Sequence, residues 1–169
     1  RQPRVSVIAT GDELVEVEAQ PGFGKIRNSN AYMLWAQCRE LGLEVEVQPI
    51  VRDEPAEIRD AIMHGLKADL VILTGGVSMG EFDYVHKVLA EEEIQIFFHK
   101  VAIKPGKPVL VGAKGDKMVF GLPGNPISSF LTFEIFAKPA ILKWSGKSSQ
   151  ALLKVVAVLE SDVRHKPGR

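Results

Sequence analysis

Residues 70–85 read LVILTGGVSMGEFDYV, and the reading of this stretch decides the fold. Leu70 to Leu73 are consecutive apolar residues, the pattern of a short buried strand. Thr74-Gly75-Gly76 closes that strand, and from about Asp83 to Glu92 an amphipathic pattern predicts a helix. Glycine weakens an element interior, so a pair here marks a tight βα turn or a close backbone approach. The stretch is not a dinucleotide-binding loop, which needs G-x-G-x-x-G. Nor is it a Walker A loop: Gly75 and Gly80 have the spacing, but Glu81 and Phe82 stand where Lys and a hydroxyl belong. A general property remains. Backbone N–H groups of a glycine turn can approach an anion, the next helix adds its positive end, and Ser78 offers a hydroxyl. The same residues also suit a plain turn with Asp83 as helix cap.

Outward from this loop, strand and helix patterns alternate. Val5 to Thr10 reads as a strand, followed by a long polar connection from Gly11 to Ser29. Ala31, Leu34, Trp35, Cys38 and Leu41 keep helical spacing, with Ser29 or Asn30 as cap. Leu43 to Val51 is a second strand. Asp53-Glu54-Pro55 predicts a helix start with Asp53 as cap, and Ile58, Ala61, Ile62, Gly65 and Leu66 as its buried stripe. After the opening stretch come a strand from Ile94 to Ile103, broken by KPGKP, and a hairpin around Lys114-Gly115-Asp116. LPGNP then opens a helix whose apolar positions include Phe130, Phe133 and Ile141. This alternation predicts an α/β fold of three layers, α/β/α, with a mainly parallel sheet. It assigns one domain to residues 4–146. Residues 147–169 read as a linker and the first strand, from Ala151 to Leu159, of an incomplete C-terminal β domain. The start at Arg-Gln-Pro, without Met, reads as a fragment.

Lys and Arg number 21 and so do Asp and Glu, so no global charge points to nucleic acid or a membrane surface. No apolar run suggests a membrane span. A single cysteine, Cys38, permits no internal disulfide and fits a reducing, cytoplasmic setting.

In a parallel sheet the strand C-termini share one edge, where ligands bind. The loops there bring Asp12 and Glu13, then Asp53, then Glu81 and Asp83. Such hard oxygen donors suit Mg²⁺ shared with phosphate, or are N-caps and solvated acids. In KPGKP, Pro105-Gly106 suits a type II turn, which sets Lys104 and Lys107 at neighbouring corners. Two ammonium groups ~6 Å apart repel by roughly 3 kcal/mol at an effective dielectric near 20. An anion between them turns this into attraction, and splaying into water also relieves it. Asn125 and Pro126 suit a capped helix start, where Ser128 lies among free N–H groups.

ATGDEL, GKIRNSN, LTGGVSMGEFDY, KPGKP and GLPGNPISS occur in this order. As a set they resemble the central α/β domain of the molybdopterin molybdenumtransferases, the MoeA family that includes the gephyrin E-domain. The resemblance covers about Val5 to Gly146. It implies insertion of molybdate into adenylated molybdopterin, assisted by a divalent metal such as Mg²⁺ and independent of ATP, with release of AMP. It implies catalytic and metal-binding roles for Glu13, Asp53 and Asp83. It implies substrate contacts from Thr10, Gly11, Gly75, Gly76, Ser78, Gly80, Asn125 and Ser128, and molybdate contacts from Lys104, Lys107, Pro108 and Ser128. It further implies a homo-oligomer, a dimer in the full-length family, with a molybdopterin adenylyltransferase as a further partner. Alternative readings are an adenylyltransferase using ATP and a non-enzymatic scaffold of the gephyrin type. The resemblance also implies that this piece alone is weakly active or inactive.

Overall fold

The central strand β5 (Leu70–Thr74) is buried along its whole length, as its unbroken apolar sequence requires. The computed structural model describes residues 2–76, 84–147 and 156–162. β5 lies between β1 (Arg4–Ala9) and β8 (Lys117–Leu122), parallel to both. The six-stranded sheet has the order β4-β1-β5-β8-β7-β6. β4 (Glu44–Val47) runs parallel to β1. β7 (Leu110–Lys114) forms an antiparallel hairpin with β8, and β6 (Gln95–His99) is antiparallel to β7.

The period of two along the strands divides the core between two faces. Val5, Val7 and Ala9 of β1 and Leu70 and Ile72 of β5 join one cluster with Leu34 and Cys38 of α1 (Ser29–Glu40). The same cluster holds Phe133 and Ile141, from a helical segment made of α4 (Pro126–Thr132), a π-helical turn (Phe133–Ala137) and α5 (Lys138–Trp144). Ile8, Val71 and Leu73 point the other way. They pack with Ile58 and Ile62 of α2 (Pro55–Gly65) and Val85, Val88 and Leu89 of α3 (Tyr84–Glu91). The expected three-layer fold with a mainly parallel sheet is therefore the observed one.

Local details depart from expectation. The connection from Gly11 to Ser29 contains a two-residue parallel ladder, β2 (Leu14–Val15) with β3 (Ile26–Arg27). The cap of α1 is Asn28, whose side chain accepts from Ala31 N, and not Ser29 or Asn30. Glu54, not Asp53, occupies the cap position of α2 and makes no side-chain cap bond. Trp35 and Phe130 keep helical spacing but lie exposed, Trp35 beneath the Arg39 guanidinium. The expected type II turn at KPGKP is a bend with a cis Lys104–Pro105 peptide and Gly106 at φ 110°. Of the strand expected from Ala151 to Leu159, only 156–159 are described, and they are exposed and carry no strand.

Cys38 is fully enclosed, and burial pushes its thiol up to about 12. The thiolate is the reactive form, so the folded protein is expected to react with a disulfide reagent at pH 8 only as fast as it opens. Prompt labelling of native protein, followed by absorbance, would contradict this packing.

Candidate functional site

Three loops converge at the C-terminal edge of the parallel strands, at the point where chain connections diverge. From β1 the chain leaves for β4 on one side. β5, on β1's other side, is reached through α2. A crevice outside the carboxyl ends of strands at such a switch point is where open α/β sheets bind ligands.

The loops are held by short contacts. Thr10 N donates to Thr74 O at 3.0 Å, and Gly11 N donates to Val51 O at 3.1 Å. Gly75 and Gly76 have φ of 92° and 62°, conformations in which a side chain is strained. Space excludes one as well: a Cβ on Gly75 would overlap the Thr10 carbonyl oxygen, and one on Gly76 would fall 2.8 Å from Thr10 Oγ1. From α1, Asn30 Nδ2 donates to Thr74 Oγ1 at 3.0 Å and to Gly124 O at 2.8 Å. Asn30 thus ties the end of β5 to the β8–α4 loop.

Between these loops lies a cleft of about 60 Å³, lined by Thr10, Glu13, Asn30, Thr74, Gly75 and Gly124 among others. The β2–β3 ladder supplies one wall through Leu14, Ile26 and Arg27. Across the Gly11-Asp12 turn is a wider groove of about 560 Å³, where Lys25 and Arg52 face Asp12 and Glu54.

The acids after β1 and β4 do meet. Asp12 N donates to Asp53 Oδ2 at 3.4 Å, and Asp53 N donates to Asp12 Oδ1 at 3.3 Å. The Glu13 carboxylate lies over Gly11. Burial raises the Asp53 carboxyl above its ordinary range; the bond from Asp12 N lowers it, and the charges of Asp12 and Glu13 raise it further. Among the described residues, no group of three or more His, Cys, Asp or Glu is placed to hold a metal ion by itself.

The lysines lie elsewhere. Lys104 and Lys107 are exposed, and neither they nor Pro108 line the cleft. Their corner rests on α4, where a Cβ at Gly106 would fall 2.7 Å from Thr132 Cγ2. Thr132 Oγ1 donates in turn to Ser128 O at 2.7 Å. The Ser128 N–H is already taken by Asn125 Oδ1 at 3.2 Å. Ser78, Gly80 and Asp83 lie outside the described residues.

Residues 6–143 match the family described as "Probable molybdopterin binding domain". The chain belongs to this family. It is 42% identical over 147 residues to the molybdopterin molybdenumtransferase of Staphylococcus epidermidis, covering 86% of this chain and 35% of that protein. A molybdopterin biosynthesis MoeA protein of Pyrococcus horikoshii superposes with a TM-score of 0.78 at 33% identity, over 87% of this chain and 36% of that one. The MoaB protein of Thermus thermophilus shares the fold, with a TM-score of 0.62 at 19% identity over 88% of this chain and 99% of its own. The chain thus spans about a third of the length of the transferases it matches.

In this molybdopterin-binding-type domain, sequence reasoning missed Asn30, Thr74 and Gly124. The signal for Asn30 was present in GKIRNSN, but its spacing suggested only a helix cap.

Two outcomes follow. Gly75→Ala is expected to lose more than about 1 kcal/mol in urea unfolding, since both conformation and space oppose a side chain. A neutral substitution would mean that the turn relaxes freely. For Asp53, a raised folded pKa means that the native state favours the protonated form. That contribution is full at low pH and is lost as pH rises through the folded pKa, so the ionised carboxylate is a burden at neutrality. In metal-free buffer, Asp53→Asn is expected to match or exceed wild-type stability at pH 7, with any gain vanishing towards the unperturbed value of 3.8. A stability loss independent of pH would show that the carboxylate acts through its hydrogen bond instead.

Proposed function

We propose that this domain binds adenylated molybdopterin at the C-terminal edge of its sheet and serves transfer of molybdate to the pterin, with release of AMP. The observation that carries this reading is the convergence of the β1, β5 and β8 loops on one cleft, within a domain 42% identical to a molybdopterin molybdenumtransferase. Molybdopterin is the family's ligand, and the transferase is an enzyme of molybdenum cofactor biosynthesis. The reaction is carried to this chain by that likeness.

The chemistry suits the residues. Adenylated molybdopterin carries a phosphoanhydride. An oxygen nucleophile attacks its phosphorus on the pterin side, the P–O bond to the adenylate breaks, and AMP leaves with the bonding pair. Charge must be neutralised and the phosphates fixed in place. Glu13 and Asp53, with Asp83, would hold Mg²⁺ together with the substrate phosphates. Burial and the nearby charges of Asp12 and Glu13 raise Asp53, and a cation beside this oxygen-only group would relieve both, which supports the reading. Bound there, Mg²⁺ neutralises phosphate charge. Thr10, Gly11, Gly75, Gly76, Ser78, Gly80, Asn125 and Ser128 would contact the substrate, a role that the family likeness carries to these positions. Lys104, Lys107, Pro108 and Ser128 receive molybdate, a dianion that two exposed ammonium groups attract. In this reading residues 4–146 are the binding domain and 147–169 lead into a β domain. The protein works in the cytoplasm as a dimer, fed by a molybdopterin adenylyltransferase.

Titration with molybdate tests the lysine corner. Lys104→Ala and Lys107→Ala should each weaken binding by roughly ten- to a hundred-fold, the loss of a charge-assisted contact of about 1.5–3 kcal/mol. Sulfate, also a tetrahedral dianion, should compete. Unchanged affinity in both variants and in the double variant would move the anion elsewhere. For the reaction, AMP should appear from adenylated molybdopterin, molybdate and Mg²⁺. Release of pyrophosphate from ATP and molybdopterin without molybdate would replace the transferase by an adenylyltransferase.

A further inference from the structure

The end of β5 and the loop between β8 and α4 lie against each other. Gly75 N donates to Leu122 O at 3.4 Å, and Thr74 Oγ1 donates to Pro123 O at 3.4 Å. A Cβ on Gly124 would stand 3.6 Å from Gly75 Cα, so the two loops are in contact. Bonds this long hold the spacing of the loops only weakly by themselves.

The shorter bonds come from a third element. Asn30, in the first turn of α1, donates through Nδ2 to Thr74 Oγ1 at 3.0 Å and to Gly124 O at 2.8 Å. A backbone carbonyl only accepts, so the amide has one orientation, and both of its N–H groups are spent on the two loops. Its Oδ1 is shielded from solvent. The side chain therefore has no spare donor and no accessible acceptor to offer a ligand. The helix start that carries it is itself anchored: Asn28 caps α1 through Ala31 N, and Asn28 N donates to Val15 O at 2.9 Å.

What the amide joins decides its consequence. Beyond Thr74 the chain enters the Gly75–Gly76 turn. Beyond Gly124 it enters Asn125, which caps α4 by accepting from Ser128 N. We propose that Asn30 is a positioning residue for the transfer reaction, holding the glycine turn and the start of α4 at the spacing the reaction requires without touching substrate. The inference rests on the reading of this edge as the substrate site, in which the first loop serves the phosphates and the second the molybdate. It adds a residue that acts only through Thr74 and Gly124. Group transfer depends steeply on such spacing: a displacement of about 1 Å caused away from the chemistry can cost roughly a hundred-fold in rate. Loops that have lost their brace can still bind each ligand separately, so the contribution of Asn30 falls on turnover and not on affinity.

The test is the steady-state release of AMP from adenylated molybdopterin, molybdate and Mg²⁺ by the full-length protein, with each variant assayed well below its melting temperature. Asn30→Ala removes both bonds. Thr74→Val removes one at nearly constant shape, and serves where Asn30→Ala folds poorly. Each should lower kcat by roughly ten- to a hundred-fold, with KM for both substrates within about two-fold of wild type. Thr74→Ser, which keeps the hydroxyl, should retain much of the kcat that Thr74→Val loses, even where its melting temperature is the lower of the two. A raised KM with unchanged kcat would make Asn30 a substrate contact and overturn the inference. A lowered melting temperature with both constants unchanged would reduce the brace to a support of the fold, which also overturns it, as would equal losses of kcat in Thr74→Ser and Thr74→Val. Absence of AMP release by the wild-type protein would overturn the reading of the reaction itself, and this inference with it.

Discussion

The contact on which the edge of this sheet depends is that of Gly75 and Gly76 against Thr10. β1 and β5 are adjacent parallel strands, and their outgoing loops must cross the same small space. The Thr10 carbonyl stands where a Cβ of Gly75 would be, and Thr10 Oγ1 crowds that of Gly76. Close packing leaves no slack for a larger residue. With the glycines in place, β5 can end beside β1, Thr74 can reach both Asn30 and the β8–α4 loop, and a cleft is left between three loop ends.

Electrostatics at this edge are arranged in the opposite spirit. Asp12 and Asp53 each accept the other's backbone N–H, which draws two carboxylates together despite their like charge. Lys25 Nζ donates to Asp12 O close by, a positive charge on the wider groove and not between the acids. The two acids thus sit side by side at this edge, with the lysine charge set to one side of them. The lysine corner of KPGKP stands apart from it, buttressed on α4 through Gly106 and Thr132.

The far end of the sheet is fixed by a different device. Asp69, just before β5, is buried and accepts from Arg4 N at 2.8 Å, with Lys117 Nζ 3.5 Å away. One carboxylate thus engages the starts of the strands on both sides of β5. The register of the three central strands is held at this end by charge-assisted bonds and at the other by the glycine turn.

Period and punctuation in the sequence by themselves determined the layers. Unbroken apolar strands such as Leu70 to Leu73, helical stripes such as Ile58, Ala61 and Ile62, and the glycine hairpin at Gly115 leave few other folds, because burial must follow the 2.0 and 3.6 periods. The ordered motifs determined the family. Only the tertiary structure decided which polar side chain takes which partner. Asn28 rather than its neighbours caps α1, because Asn28 N is anchored on Val15 O and sets the helix start. Asp53 leaves the cap position because its carboxylate finds the Asp12 N–H, a residue 41 positions earlier. Trp35 stays exposed because α1 turns only one face to the sheet. Asn30 becomes a brace because Gly124, 94 positions away, arrives beside it. Hydrogen bonds between residues so distant in the chain leave no local pattern, so they could be read only after the strands had brought their ends together.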